Sequence, residues 1–99
     1  MKIEPKVGCI QSAITILGAK WTALILRDLM DGPKRFCELE RLVAGINPRT
    51  LTSRLLELED RGIVTNDGTT GYALTPKGKD LLPILKQMAT WGDKYHEPC

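Results

Sequence analysis

Gly45-Ile46-Asn47-Pro48-Arg49-Thr50-Leu51-Thr52-Ser53-Arg54-Leu55-Leu56-Glu57-Leu58-Glu59-Asp60-Arg61-Gly62-Ile63-Val64 is the stretch on which the fold turns. Asn47-Pro48 reads as a helix start, because an Asn side chain accepts from the free amides of a first turn and Pro is tolerated at the first helical position. Gly62 reads as the stop, since a residue without Cβ enters the left-handed conformation cheaply. Between them Leu51, Leu55 and Leu58 fall on one helical face. Pro48, Arg49, Thr50, Thr52, Ser53 and Arg54 crowd the other faces of the amino-terminal half. Hydroxyls and guanidinium groups gathered at a helix start suit a helix whose first turns approach base edges and phosphates. An ordinary surface amphipathic helix has the same outline, so the neighbouring segments decide.

Upstream, Ile10, Ala13, Ile14 and Leu17 recur at helical spacing and Gly18 closes that segment. Trp21 to Met30 carries Trp21, Leu24, Ile25 and Leu29 on one side and ends at Asp31-Gly32-Pro33, a strong terminator. Arg35-Phe36 reads as a short extended piece before a third helix with Phe36, Leu39, Leu42 and Val43 inward. Helix, Gly-containing turn and capped helix together make a helix-turn-helix. Downstream, Ile63-Val64-Thr65 is β-branched, Asp67-Gly68 is a hairpin turn signal, and Tyr72-Ala73-Leu74 resumes the extended pattern. A hairpin directly after such a helix is a wing. Thr75-Pro76 opens a last helix, expected over about 76–95, with two apolar stripes. Leu81, Leu85 and Met88 form one; Ile84, Met88, Trp91 and Tyr95 form the other. One stripe docks on its own domain and the second is expected to find a partner. The expected class is mainly α with a small β-hairpin: a polar arm over 1–8, then one winged helix-turn-helix domain over 9–99.

Ninety-nine residues make one domain, with a formal net charge of +2 and 42% apolar residues. The charge is uneven. From Lys34 to Arg54 the basic residues Lys34, Arg35, Arg41, Arg49 and Arg54 outnumber Glu38 and Glu40, a modest basic patch. No apolar run is long enough to span a bilayer and the amino terminus lacks a signal-peptide core, so a cytoplasmic protein is expected. Cys9, Cys37 and Cys99 fit neither a disulfide framework nor a zinc site, and the single His96 stands near the C-terminus without an acidic-histidine cluster around it. With no nucleophile–base pair, phosphate loop or metal-ligand spacing, the sequence argues against an enzyme and calls for no cofactor or metal.

Leu17-Gly18-Ala19-Lys20-Trp21, Leu24-Ile25-Leu26-Arg27-Asp28-Leu29, Gly32-Pro33-Lys34-Arg35-Phe36 and Glu38-Leu39 resemble the HxlR-type winged-helix regulators, a branch near the MarR regulators. So do Gly45 to Thr52, Arg54-Leu55, Glu57-Leu58-Glu59, Gly62-Ile63-Val64 and Tyr72 to Gly78, in the family's order. The resemblance implies a homodimeric transcription regulator that binds double-stranded DNA at an inverted-repeat operator. It implies that the first and last helices build the dimer, drawing Ile10 and Ile14 into the interface, and that Asn47 to Arg61 enters the major groove. Family position also makes Lys34 and Arg35 candidate phosphate contacts.

Two departures from the family pattern stand out. The family's wing carries a longer basic insert, whereas here the tip is Asn66-Asp67-Gly68-Thr69-Thr70-Gly71, leaving Thr69, Thr70 and backbone amides to meet phosphate. The family's amino-terminal cysteine, which in some members senses oxidants or electrophiles, aligns with Gly8, and Cys9 follows it. Cys9 is nonetheless the thiol to test for sensing, because free amides at a helix start favour an anion. Cys37, beside Phe36, is expected to be buried and inert. Trp21, Phe36 and Trp91 read as packing residues rather than a ligand box. The competing reading of the whole chain is a winged-helix protein-interaction module that never meets DNA. The sequence names no effector.

Overall fold

Helix α4, Pro48–Asp60, lies at the centre of the architecture. Asn47 caps it, its side-chain oxygen accepting from the Thr50 amide at 2.8 Å, with Pro48 in the first turn. Leu51, Leu55 and Leu58 are buried, as their spacing predicts, each contributing about 1.5–3 kcal/mol on removal from water. The computed structural model describes residues 7–95, so residues 1–6 of the expected arm, His96 and Cys99 fall outside it.

Around α4 stand α1 (Val7–Leu17), α2 (Thr22–Leu29) and α3 (Phe36–Leu42) before it. After it come the antiparallel strands β1 (Val64–Asn66) and β2 (Tyr72–Leu74), then α5 (Pro76–Lys79) and α6 (Leu82–Tyr95). Val64 pairs with Leu74, Thr65 with Ala73 and Asn66 with Tyr72. The core joins Ile25, Leu26 and Leu29 of α2, Leu39 of α3, Val43 and Ile46 of the turn, the α4 leucines, and Ile63 and Val64. The fold is therefore the helix-turn-helix with a two-stranded wing that the sequence outlines.

Four details differ from the sequence reading. Helix α1 starts at Val7, so Val7 and Gly8 extend it into the segment assigned to the arm. Trp21 does not open α2 as a helical residue: it precedes the helix in the left-handed region, φ 79°, a conformation costly for a non-glycine residue. The inward faces of α2 and α3 are also narrower than expected. Leu26 replaces Leu24 in the core, while Leu24 and Leu42 flank their buried neighbours and remain exposed. Finally, the last helix is two helices. Pro83 has no N–H to bond back into the preceding turn, so α5 ends at Lys79 and α6 restarts with Pro83 in its first turn, where that loss is harmless.

The segment before α3 belongs to the wing. Lys34 pairs with Tyr72 through both backbone bonds, Lys34 N–H to Tyr72 O at 2.9 Å and Tyr72 N–H to Lys34 O at 2.8 Å. This closeness requires glycine at 71, where φ is +100° and a Cβ would stand 2.5 Å from the Lys34 carbonyl oxygen.

Candidate nucleic-acid interface

Burial of the α4 leucines forces the rest of that helix outward. Arg49, Thr52 and Ser53 are exposed and Thr50 is half-buried beneath the Asn47 cap. Pro48 is also exposed and fixes the entry angle of the chain. Leu56 continues the Arg49–Ser53 face and is 59% exposed. Sequence reading passed over Leu56 because it adjoins Leu55 and looks like core; its helical angle, opposite Leu51 and Leu58, was the available signal. An apolar side chain on a helix face of this kind is chemically suited to a thymine methyl group.

Arg54 lies toward the core side of α4 and is already engaged. Its Nε donates to the Lys20 carbonyl at 3.3 Å, and Nη1 stands 4.0 Å from the Glu57 carboxylate. That bond reaches the α1–α2 turn beside Trp21, whose ring also carries Lys20 Nζ at 4.9 Å from its centroid. The Trp21 indole lies over the helix-turn-helix turn, where a Cβ on Gly45 would meet it at 3.5 Å. Arg54 thus ties α4 to the α1–α2 junction.

The wing tip is organised by one carboxylate. Asp67 accepts from the amides of Thr69 and Thr70 and from the Thr70 hydroxyl, each at 2.8 Å. These bonds, the Thr69 amide first, hold the Asp67 carboxyl well below the usual carboxylate range. The amides expected to meet phosphate are thus turned onto Asp67, a constraint the Asp-Gly turn signal did not reveal. Arg35 approaches the same loop: its Nη2 donates to the Thr69 carbonyl at 2.8 Å, while its backbone N–H donates to Glu38 Oε1 at 3.0 Å and caps α3. Lys34 is half-buried, its Nζ donating to the Gly32 carbonyl at 3.3 Å.

Away from this surface, the second stripe of α6 is uncovered. Ile84, Met88, Trp91 and Tyr95 are all exposed, Trp91 by 68%, and the Trp91 and Tyr95 rings meet at a 44° tilt with centroids 5.2 Å apart. Leu81 and Leu85, of the first stripe, pack on the core. Ile10 and Ile14 are exposed on α1, and Ile14 and Met88 line one groove of about 240 Å³ with Ala13, Leu17 and Gly18. Met88 also borders a second apolar groove, of about 330 Å³, with Leu24 and Leu85. Cys9 is exposed near the start of α1. Cys37 is exposed too, contrary to the expected burial: Leu39 and Val43 define the inner face of α3, and Cys37 projects from the other side. Among the described residues no cluster of His, Cys, Asp and Glu could hold a metal ion, and no single helix is long and apolar enough to cross a membrane.

A capped helix with a polar outer face, preceded by a short helix and turn and followed by a hairpin, defines a winged helix-turn-helix regulator. The chain belongs to the HxlR-like helix-turn-helix family, whose pattern matches residues 16–99. It is 38% identical over 94 residues to the HTH-type transcriptional regulator YodB of Bacillus subtilis, covering 89% of this chain and 84% of YodB. The crystal structure of quinone-bound YodB superposes with a TM-score of 0.81 at 40% identity, covering 87% of this chain and 96% of that one. The redoxregulator HypR in its reduced form superposes with a TM-score of 0.83 at 34% identity, covering 89% and 93%. The chain is accordingly a DNA-binding transcription regulator of winged-helix type.

Proposed function

We propose that the protein is a homodimer that reads an inverted-repeat DNA operator, with the start of α4 in the major groove and the exposed faces of α1 and α6 joining the two copies. The observation that carries this reading is the division of α4 into a buried leucine face and an exposed face of Arg49, Thr52, Ser53 and Leu56. Arg49 and Ser53 oppose the leucine stripe most directly and are assigned to base edges. Pro48, Thr50, Thr52 and Arg54 flank the groove, with Lys34, Arg35, Thr69 and Thr70 beside it at the wing. Ile10, Ile14, Ile84, Met88, Trp91 and Tyr95 form the apolar surface assigned to the dimer. A regulator of this class works where its DNA is, so the cytoplasm is the expected compartment, and a regulatory rather than an enzymatic role is expected.

Mobility shift of duplex DNA at several salt concentrations tests DNA binding. Affinity falling steeply with salt is the result expected from counterion release. Absence of any shift, even at low salt, would favour the protein-interaction module instead.

The regulator is further proposed to respond to oxidants or electrophiles through Cys9. Support comes from its exposure on the helix assigned to the dimer, and from relatives of which one is quinone-bound and the other a redoxregulator. Oxidation or alkylation there alters packing between subunits. DNA affinity is expected to change after diamide or a quinone in the wild type and not in Cys9→Ser; an identical response in both would make Cys9 structural.

A further inference from the structure

The wing tip, Asn66 to Gly71, contains no Lys or Arg, and its charged residue is the anion Asp67. An anion presented to phosphate without a nearby cation would oppose binding. The cation is supplied from outside the wing. We propose that Arg35, the residue preceding α3, serves as the DNA-reading side chain of the wing and places its guanidinium in the minor groove flanking the recognition helix. This rests on the DNA-binding reading above and adds to it a specific residue, groove and sequence preference.

Three observations converge on Arg35. Lys34 is joined to Tyr72 by a pair of backbone hydrogen bonds, and glycine at 71 permits that approach, so Lys34 forms a third edge of the wing and Arg35 leaves it directly beside the hairpin. Arg35 is exposed, and its Nη2 holds the Thr69 carbonyl at the tip. Among the described residues that is the single hydrogen bond of its side chain, which leaves the rest of the fork free to donate. Lastly, the tip is preorganised. Asp67 turns onto Thr69 and Thr70, so the carbonyl that Arg35 holds belongs to a loop of fixed shape. A guanidinium fixed beside a hairpin tip suits a narrow, A·T-rich minor groove, where the negative potential is strongest. Lys34, by contrast, is folded back onto the Gly32 carbonyl and is half-buried.

The test uses the full chain and a duplex selected by it from a random pool, with the flanks of the bound segment made A·T, G·C or I·C. An I·C pair keeps the major-groove acceptors of G·C but lacks the minor-groove amino group. Wild-type protein is expected to bind the A·T and I·C flanks alike and about tenfold more tightly than G·C. Arg35→Gln removes the charge and shortens the side chain, while the bonds from Thr69 and Thr70 to Asp67 do not involve residue 35. The variant is expected to lose the flank preference and about one unit of salt slope, with thermal melting and amide exchange at Thr69 and Thr70 unchanged. Retention of the preference in Arg35→Gln would overturn the proposal, as would wild-type affinity indifferent to the flanks. Failure of wild type to retain any duplex would instead overturn the DNA-binding reading, and this inference with it.

Discussion

Arg49 and Arg54 carry the same charge on the same helix, and the fold uses them differently. Arg49 projects opposite the buried leucines, whereas Arg54 is drawn back to the Lys20 carbonyl and toward Glu57. Sequence reading placed both among the DNA-facing residues of the helix start. The hydrogen bond adds a structural duty to Arg54. Arg49→Ala is therefore expected to leave chemical denaturation unchanged while relaxing preference at one base pair by ~1–3 kcal/mol. Arg54→Ala is expected to cost about 0.5–1.5 kcal/mol of folding stability and to weaken all sequences alike. Competition binding against a panel of single-base variants separates the two, and the opposite pattern would mean the roles are exchanged.

The wing is where an element departs most from its sequence signal. The Asp-Gly turn and the two strands were legible, because β-branched and extended-pattern residues flank a turn pair. The inward orientation of Asp67 was not, because hydrogen bonds from Thr69 and Thr70 depend on loop geometry rather than on residue order. A carboxyl held low by such donors stabilises the loop above the ordinary carboxylate pKa, about 4, and loses that contribution as pH falls through its own lower value. The Thr69 and Thr70 amides are thus expected to stay protected from exchange across neutral and mildly acidic pH, and to open in Asp67→Ala. Amide exchange by NMR reads this directly; unprotected amides in the wild type at neutral pH would contradict it. The last helix shows a similar gap. Its apolar stripes were legible, but Pro83 divides it into α5 and α6, and a stripe-based reading overlooks a missing amide.

Across the whole molecule, the core followed closely from hydrophobic spacing, since Leu51, Leu55, Leu58, Ile25, Leu29, Leu39 and Val43 are all buried as their periodicity requires. Periodicity marks faces rather than depth, which is why Leu24 and Leu42 were placed inward and lie outside; Cys37 was expected to be buried only as a thiol beside Phe36, and it is exposed. The uncovered surface of α1 and α6 is the larger-scale consequence: Ile14 and Met88 share a groove, and Trp91 and Tyr95 extend the apolar surface along α6. Ile84→Glu combined with Trp91→Glu is expected to yield monomers in light scattering while far-ultraviolet circular dichroism stays unchanged, because buried unpaired carboxylates oppose association. A doubly substituted protein that remains dimeric would place the interface elsewhere.

A two-fold dimer that presents α4 to DNA must select a two-fold site. The most direct measurement is selection of bound duplexes from a random pool, with the mass of the resulting complex determined. The expected result is an inverted repeat, half-sites about one helical turn apart (~34 Å), bound by two copies of the chain. Recovery of lone half-sites or direct repeats bound by one copy would contradict it.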